Sequence, residues 1–136
     1  MNTSYNYSKA QNQLKRKQQA KQRGVDGEQK AVDYLISKNY KILHRNWRTK
    51  KGEIDIIATK DDTIVFVEVK TLPSGNLETL EHILGKIKQK RIAETTKCFL
   101  NLYRQYNDRY IRFDAISAQE VKMTGYPNGY PVLCVR

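Results

Sequence analysis

Two runs near the middle of the chain carry the clearest pattern. Gly52-Glu53-Ile54-Asp55-Ile56-Ile57-Ala58 and Thr63-Ile64-Val65-Phe66-Val67-Glu68-Val69-Lys70 are both dense in β-branched residues. Thr59-Lys60-Asp61-Asp62 between them supplies turn residues, so the pattern predicts a β-hairpin. Upstream, Ala31, Val32 and Leu35 fall on one stripe of a helix that stops at Lys38-Asn39. Tyr40 to Trp47 then reads as a strand. From about Glu78 to Tyr103 the spacing turns helical, with Leu80, Leu84, Ile87, Cys98 and Leu102 on the apolar stripe. Arg91 sits on that stripe, and Lys86, Lys90 and Lys97 occupy a neighbouring face. Ile111 to Ile116 forms the next predicted strand, and Val132 to Val135 a short last one. Leu72-Pro73-Ser74-Gly75-Asn76 is a loop leaving the second strand of the hairpin. The order αβββαβ predicts an α/β layer, a mixed β-sheet flanked by helices.

Strand alternation gives the hairpin chemical content. If Ile64 pairs with Thr59, Asp55 lies opposite Glu68, and Glu68 and Lys70 share a face. A slip of one residue would send the carboxylates to opposite faces. Cross-strand neighbours lie about 5 Å apart, and two carboxylates there repel by roughly 3 kcal/mol at an effective dielectric near 20. Lys70 offsets part of this repulsion. Mg²⁺ or Mn²⁺ offsets it better, since both prefer carboxylate and water oxygens. An ordinary ion pair on a solvated face is the simpler alternative, but Ile64 and Phe66 flank Glu68 on that face. Glu28 lies in the middle of the stripe made by Ala31, Val32 and Leu35, and is the candidate third carboxylate. A first-turn Glu favoured by the helix dipole is its simpler reading.

Charge changes the picture next. The 136 residues carry a formal net charge of +11. Residues 1–25 contain Lys9, Lys15, Arg16, Lys17, Lys21 and Arg23 and no acid. Low hydrophobicity with high charge predicts a flexible basic arm over residues 1–22, helical only when bound, ahead of one domain over 23–136. Such an arm binds phosphates without sequence preference; a solubilising tail is the alternative. Lys15, Arg16, Lys17, Arg45, Arg48, Lys86, Lys90 and Arg91 are the candidate nucleic-acid contacts.

No apolar run reaches membrane length, and the N-terminus lacks the apolar stretch of a secretory signal. Cys98 and Cys134 show no metal-binding spacing, which predicts unpaired buried thiols in a cytoplasmic protein. His44 and His82 stand alone and are given no role. The tyrosines outside the predicted elements, Tyr5, Tyr7, Tyr106, Tyr126 and Tyr130, are expected to pack rather than to stack on bases.

Gly27-Glu28 with Ala31 and Tyr34-Leu35, Arg45-Asn46-Trp47-Arg48, GEIDIIA at 52–58, VFVEVKT at 65–71 and Arg112-Phe113-Asp114 occur in one order. In this order they resemble the bacterial YraN-like family, over about Gly24 to Ile116. That family is similar to archaeal Holliday-junction resolvases within the PD-(D/E)XK nuclease superfamily. The resemblance implies a restriction-endonuclease-like core and a Mg²⁺- or Mn²⁺-dependent nuclease acting on structured or branched DNA. It also implies products with a 5′-phosphate and a 3′-hydroxyl. Asp55 and Glu68 would be metal ligands, Lys70 the catalytic lysine and Glu28 the helix carboxylate, with the Val69 carbonyl an extra ligand. Two features depart from the family pattern: Thr71-Leu72 stands where Arg often follows the lysine, and the C-terminus lacks the usual His. A non-catalytic nucleic-acid-binding module with the same fold is the rival expectation. DNA is favoured over RNA as partner, and a homodimer is compatible with the sequence.

Overall fold

The computed structural model of the chain describes residues 3–70, 85–117 and 122–123. Helix α1 runs Thr3–Ser37, followed by strands β1 (Lys41–Thr49), β2 (Gly52–Lys60) and β3 (Thr63–Lys70). Helix α2 spans Lys86–Leu102, a 3₁₀ turn covers Arg104–Tyr106, and β4 (Tyr110–Ser117) and β5 (Lys122–Met123) follow. The five strands form one mixed sheet in the order β1-β2-β3-β4-β5. Only the β3–β4 pair is parallel. This is the α/β sheet flanked by helices that the pattern predicts, and it is compatible with a restriction-endonuclease-like core.

Each face of the sheet packs one helix. Ile56, Ala58, Val65, Val67 and Ile116 meet Ala31, Val32 and Leu35 of α1. Ile54, Ile57, Ile64, Phe66 and Phe113 meet Ile92, Phe99 and Leu100 of α2. The expected hairpin register is present, with Thr59 opposite Ile64. The turn itself is tighter than four residues: Lys60 also pairs with Thr63, leaving Asp61-Asp62 at the tip. Asp61 takes φ 50° there, a left-handed conformation that Asp tolerates. At the end of α1, Asn39 at φ 68° lets the Tyr40 N–H reach Leu35 O and its own N–H reach Ile36 O. That paired reversal caps the helix and turns Tyr40 back onto the α1 core.

The helices differ from the sequence pattern in three respects. The segment expected as a flexible arm is helical from Thr3 and continuous with α1. Its Ala-, Gln-, Lys- and Arg-rich composition favours helix even where nothing packs on it, and residues 7–26 are exposed. Helix α2 begins at Lys86 with Gly85 as its N-cap, rather than running unbroken from Glu78; residues 78–84 lie outside the described residues. Its buried stripe is Ile92, Thr95, Thr96 and Phe99 with Ala93 and Leu100. Ile87 and Leu102, placed on that stripe from sequence, are 74% and 71% exposed. Arg91 is accordingly exposed rather than set among apolar residues.

Cys98 is half-buried and free rather than buried. The predicted 72–76 loop, the Val132–Val135 strand, His82 and Cys134 lie outside the described residues. His44 packs edge-on against Phe99, and Tyr106 stacks on the same ring, so both serve the core.

Candidate active site

The hairpin ladder sets the geometry. Pairing between β2 and β3 runs from Lys60–Thr63 to Ile56–Val67, and one further step sets Asp55 opposite Glu68. At that step the Asp55 carboxylate takes a role normally filled by backbone: the Val69 N–H donates to Asp55 Oδ2 at 2.8 Å. On its other edge β2 pairs Ile56 with Arg45 and Ile54 with Trp47, which brackets Asp55 and Asn46 in the same register.

Alternation is broken between those brackets. Asn46 adopts φ 50°, and Arg45 and Asn46 both turn towards α1 while Trp47 packs on Phe99 of α2. Ile54 joins the α2-side core together with Ile57, three residues on rather than two or four. Both strands therefore kink together beside Asp55.

Glu68 is buried on the α2 side, where Ile64 and Phe66 precede it on the same face. Two lysines neutralise it. Lys70 Nζ lies 3.1 Å from Glu68 Oε1, and Lys88 Nζ of α2 lies 2.5 Å from the same oxygen. One step beyond the Ile56–Val67 pair, the Asp55 and Glu68 carboxylates are close enough for each to feel the other's charge. Burial, reinforced by the charge of Glu68, pushes the Asp55 carboxyl up to about 7, although the Val69 N–H opposes the shift. For Lys88, burial works against the ammonium. The hydrogen bond to Glu68 and the field of both carboxylates outweigh it and hold the group above the ordinary lysine range.

Lys88 was absent from the sequence-derived site. It lies four residues before Ile92 and seven before Thr95, in line with the true buried stripe. The signal was therefore present but hidden, because Thr95 and Thr96 do not read as core letters.

The other predicted residues are distributed as follows. Glu28 projects from α1 towards the sheet, where Arg45 Nε bonds its Oε1 at 3.2 Å and Asn46 Nδ2 at 2.9 Å. Arg45 also donates to Gln29 at 3.0 Å, so this candidate phosphate contact is engaged within the fold. Glu28 stands one strand away from Asp55 through Asn46. Among the described residues no group of three or more His, Cys, Asp or Glu gathers closely enough to hold a metal. Asp55 and Glu68 come together; Glu28 does not join them. Arg48 pairs with Glu53 across β1 and β2 at 3.0 Å, both exposed. Lys86, Lys90 and Arg91 lie exposed on α2, and Lys15, Arg16 and Lys17 on the N-terminal half of α1.

Arg112 and Asp114 serve a different purpose. Arg112 grips buried Asp114 through Nε at 3.0 Å and Nη2 at 2.8 Å, and its Nη2 also donates to the Tyr40 hydroxyl. This cluster closes the α1-side core.

The donor set at the hairpin end suits a hard divalent cation. Two carboxylates adjoin there, Glu68 buried and Asp55 half-buried, and Asp55 holds its proton far above the usual carboxylate range. Removing that proton needs added positive charge, which a divalent ion supplies.

Comparison with known proteins agrees on this segment. The family described as "Uncharacterised protein family UPF0102" matches residues 27–118. A UPF0102 protein of Treponema pallidum (strain Nichols) is 55% identical over 93 residues, covering 68% of this chain and 74% of its own. The chain belongs to this family. A UPF0102 protein of Alkaliphilus oremlandii is 46% identical over 100 residues, 73% of this chain and 86% of its own. One from Thermodesulfovibrio yellowstonii is 35% identical over 107 residues, 79% and 94% respectively. UPF0102 is the YraN-like, PD-(D/E)XK-like family that the motifs resemble. The matched span contains Glu28, the kinked strands, Asp55, Glu68, Lys70 and Lys88. No helix among the described residues is long and apolar enough to cross a membrane.

Proposed function

We propose that this UPF0102 chain is a metal-dependent endonuclease hydrolysing phosphodiester bonds, with structured or branched DNA as its first substrate class. The observation that carries the reading is that half-buried Asp55, fixed by the Val69 N–H, adjoins buried Glu68, with Lys70 3.1 Å from Glu68. Two adjoining carboxylates repel, and here both lysines sit on Glu68 and neither is paired with Asp55 among the described ion pairs. Asp55 and Glu68 would hold Mg²⁺ or Mn²⁺, with the Val69 carbonyl as a further candidate ligand; Glu28, held by Arg45 and Asn46, stands outside this set. Such an ion, when bound, polarises phosphoryl oxygens and lowers the pKa of a bound water.

The chain's own residues do the rest. The Val69 N–H fixes the Asp55 carboxylate against β3. Lys70, already within 3.1 Å of Glu68, orients the attacking water or meets the charge developing on the phosphate. Apolar neighbours on the α2 face limit water around Glu68 and strengthen each of these interactions.

A second reading has one observation in its favour. Lys88 sits on Glu68 as an internal cation, and a retired site that only binds nucleic acid could be stabilised in that way. Cleavage decides between them. Wild type and Lys70→Ala are incubated with end-labelled branched, flapped, single-stranded and duplex DNA, and with RNA, in Mg²⁺ or Mn²⁺. The nuclease reading expects cleavage by wild type, leaving 5′-phosphate ends, and a loss in the variant. Binding without cleavage of any substrate in either metal hands the protein to the second reading.

A further inference from the structure

The tip joining β1 to β2 lies at the same end of the sheet as Asp55 and plays no part in the chemistry above. Arg48, Thr49, Lys50, Lys51, Gly52 and Glu53 line an open concavity of about 510 Å³, completed by Arg91 of α2. Four cations face one carboxylate there, and that carboxylate is already paired with Arg48 in an exposed contact worth little. The tip is seated on α2 rather than hanging from the sheet. A Cβ added at Gly52 would come within 2.9 Å of Thr95 Oγ1, so glycine permits an approach that other side chains would obstruct. Thr95 in turn donates to Arg91 O at 2.7 Å, which fixes the wall of the concavity.

Helix α2 connects this concavity to the carboxylate pair. Lys88 reaches Glu68, and Arg91 lies three residues further, on a neighbouring part of the same helix face. Along β2, Lys51 precedes Asp55 by four residues, roughly 13 Å at the usual strand rise. Lys70, Lys88, Arg91, Lys51, Lys50 and Arg48 therefore form a cationic run from the site to the tip.

We propose that the β1–β2 tip is a second phosphate site, which grips the nucleic-acid backbone a few nucleotides from the bond at Asp55 and Glu68. The proposal rests on the nucleic-acid reading of the carboxylate site. The tip positions substrate and reads no bases, because flexible lysines and one exposed arginine meet phosphate as charge.

The test uses the full chain in EDTA, so that binding is measured apart from cleavage. Affinities for a short duplex and for its single strand are followed across a salt series. The variants are Lys50→Gln/Lys51→Gln/Arg91→Gln and, as a control, Lys38→Gln/Lys41→Gln at the opposite end of β1, with folding checked by circular dichroism. The tip variant should bind at least about tenfold more weakly, and its log–log salt slope should fall by about 0.9 for each phosphate it no longer neutralises. The control should stay near wild type. An unchanged tip variant, an equal weakening in the control, or a wild type that binds neither probe overturns the site. Cleavage is then read separately in Mg²⁺: wild type that binds through the tip yet never cleaves removes the nuclease reading and leaves the phosphate site standing. Cleavage by the tip variant with unchanged KM removes the phosphate site and leaves the nuclease reading.

Discussion

Two buried charged clusters sit in one sheet, and they are built on opposite rules. On the α1 side, Arg112 holds Asp114 through two nitrogens and adds the Tyr40 hydroxyl. Opposite charges meet there in fork geometry, and the cluster is complete within the chain. At the end of the hairpin, Asp55 and Glu68 are like charges pressed together, with Lys70 and Lys88 both crowded onto Glu68. Asp55 receives one backbone N–H and no lysine among its described hydrogen bonds and ion pairs. Burial raises both aspartates, but only Asp114 has an arginine pulling the other way. The first cluster closes a core. The second keeps two like charges together with both lysines on one of them, and the proposed metal site rests on that imbalance.

Breaking the closed cluster should have the largest effect. Arg112→Ala leaves Asp114 buried without its partner, and losses of this kind run to about 3–5 kcal/mol. The variant should regain part of that stability in mild acid, where Asp114 takes up a proton. Denaturant titrations at neutral and acidic pH measure both terms; equal destabilisation at the two pH values would contradict the assignment.

The open cluster should respond with the opposite sign. Asp55 is raised from 3.8 to about 7 in the fold, so the folded state binds the extra proton between those values. Its stability is therefore greatest below about 4 and falls as pH rises through about 7. Asp55→Asn keeps an acceptor for the Val69 N–H and removes the falling term. In EDTA the variant should match wild type near pH 4 and exceed it at pH 8, by on the order of 4 kcal/mol at most. Adding Mg²⁺ should stabilise wild type and not the variant, which closes or inverts the gap. A variant less stable than wild type at pH 8 without metal would mean that burial and the charge of Glu68 do not raise Asp55.

Lys70 sharpens the contrast through chemistry. Lys70→Ala should lower cleavage at least about a hundredfold, the usual scale for one positioned acid–base or electrostatic group. Metal affinity, measured by calorimetry, should stay near wild type because an ammonium is no ligand. Lower stability or altered metal affinity with intact turnover would make Lys70 charge balance only.

How far these clusters could be read from sequence depended on which physical signal was on the surface. The register that pairs Asp55 with Glu68 was legible because a short acidic turn joins two β-branched runs, and a one-residue slip would send the two carboxylates to opposite faces and mix polar with apolar on each. The kink at Asn46 was not legible. Asn tolerates a positive φ, but nothing in the strand-like Arg45-Asn46-Trp47 requires one, and that kink is what turns Arg45 and Asn46 onto Glu28. Arg45 thus read as a phosphate contact when its partner was seventeen residues upstream in the chain. Lys88 was missed for a related reason. Counting apolar letters drew the α2 stripe through Ile87 and Leu102, whereas two buried threonines carry it through Ile92, Thr95 and Phe99. A hydroxyl bonded back to its own helix, as in Thr95, occupies a core position without looking apolar.

The N-terminal half of α1 should matter least to either cluster. Removing residues 1–22 takes away exposed helix and leaves Ala31, Val32 and Leu35 in place, so stability should change by no more than about 0.5 kcal/mol. Its effect should appear in DNA binding, and its size can be bounded. Five cations are removed, Lys9, Lys15, Arg16, Lys17 and Lys21. On a helix these spread around the axis, with Lys9 and Arg16 sharing one face seven residues apart and lining the same shallow groove. One duplex can meet only part of such a helix, so the salt slope should fall by about 2 rather than by the roughly 4 to 5 that all five cations at about 0.9 each would give. A larger fall would mean that the helix wraps or reorients on DNA. An unchanged slope would leave the tip and α2 as the whole of the phosphate-binding surface, and the N-terminal helix as a bystander.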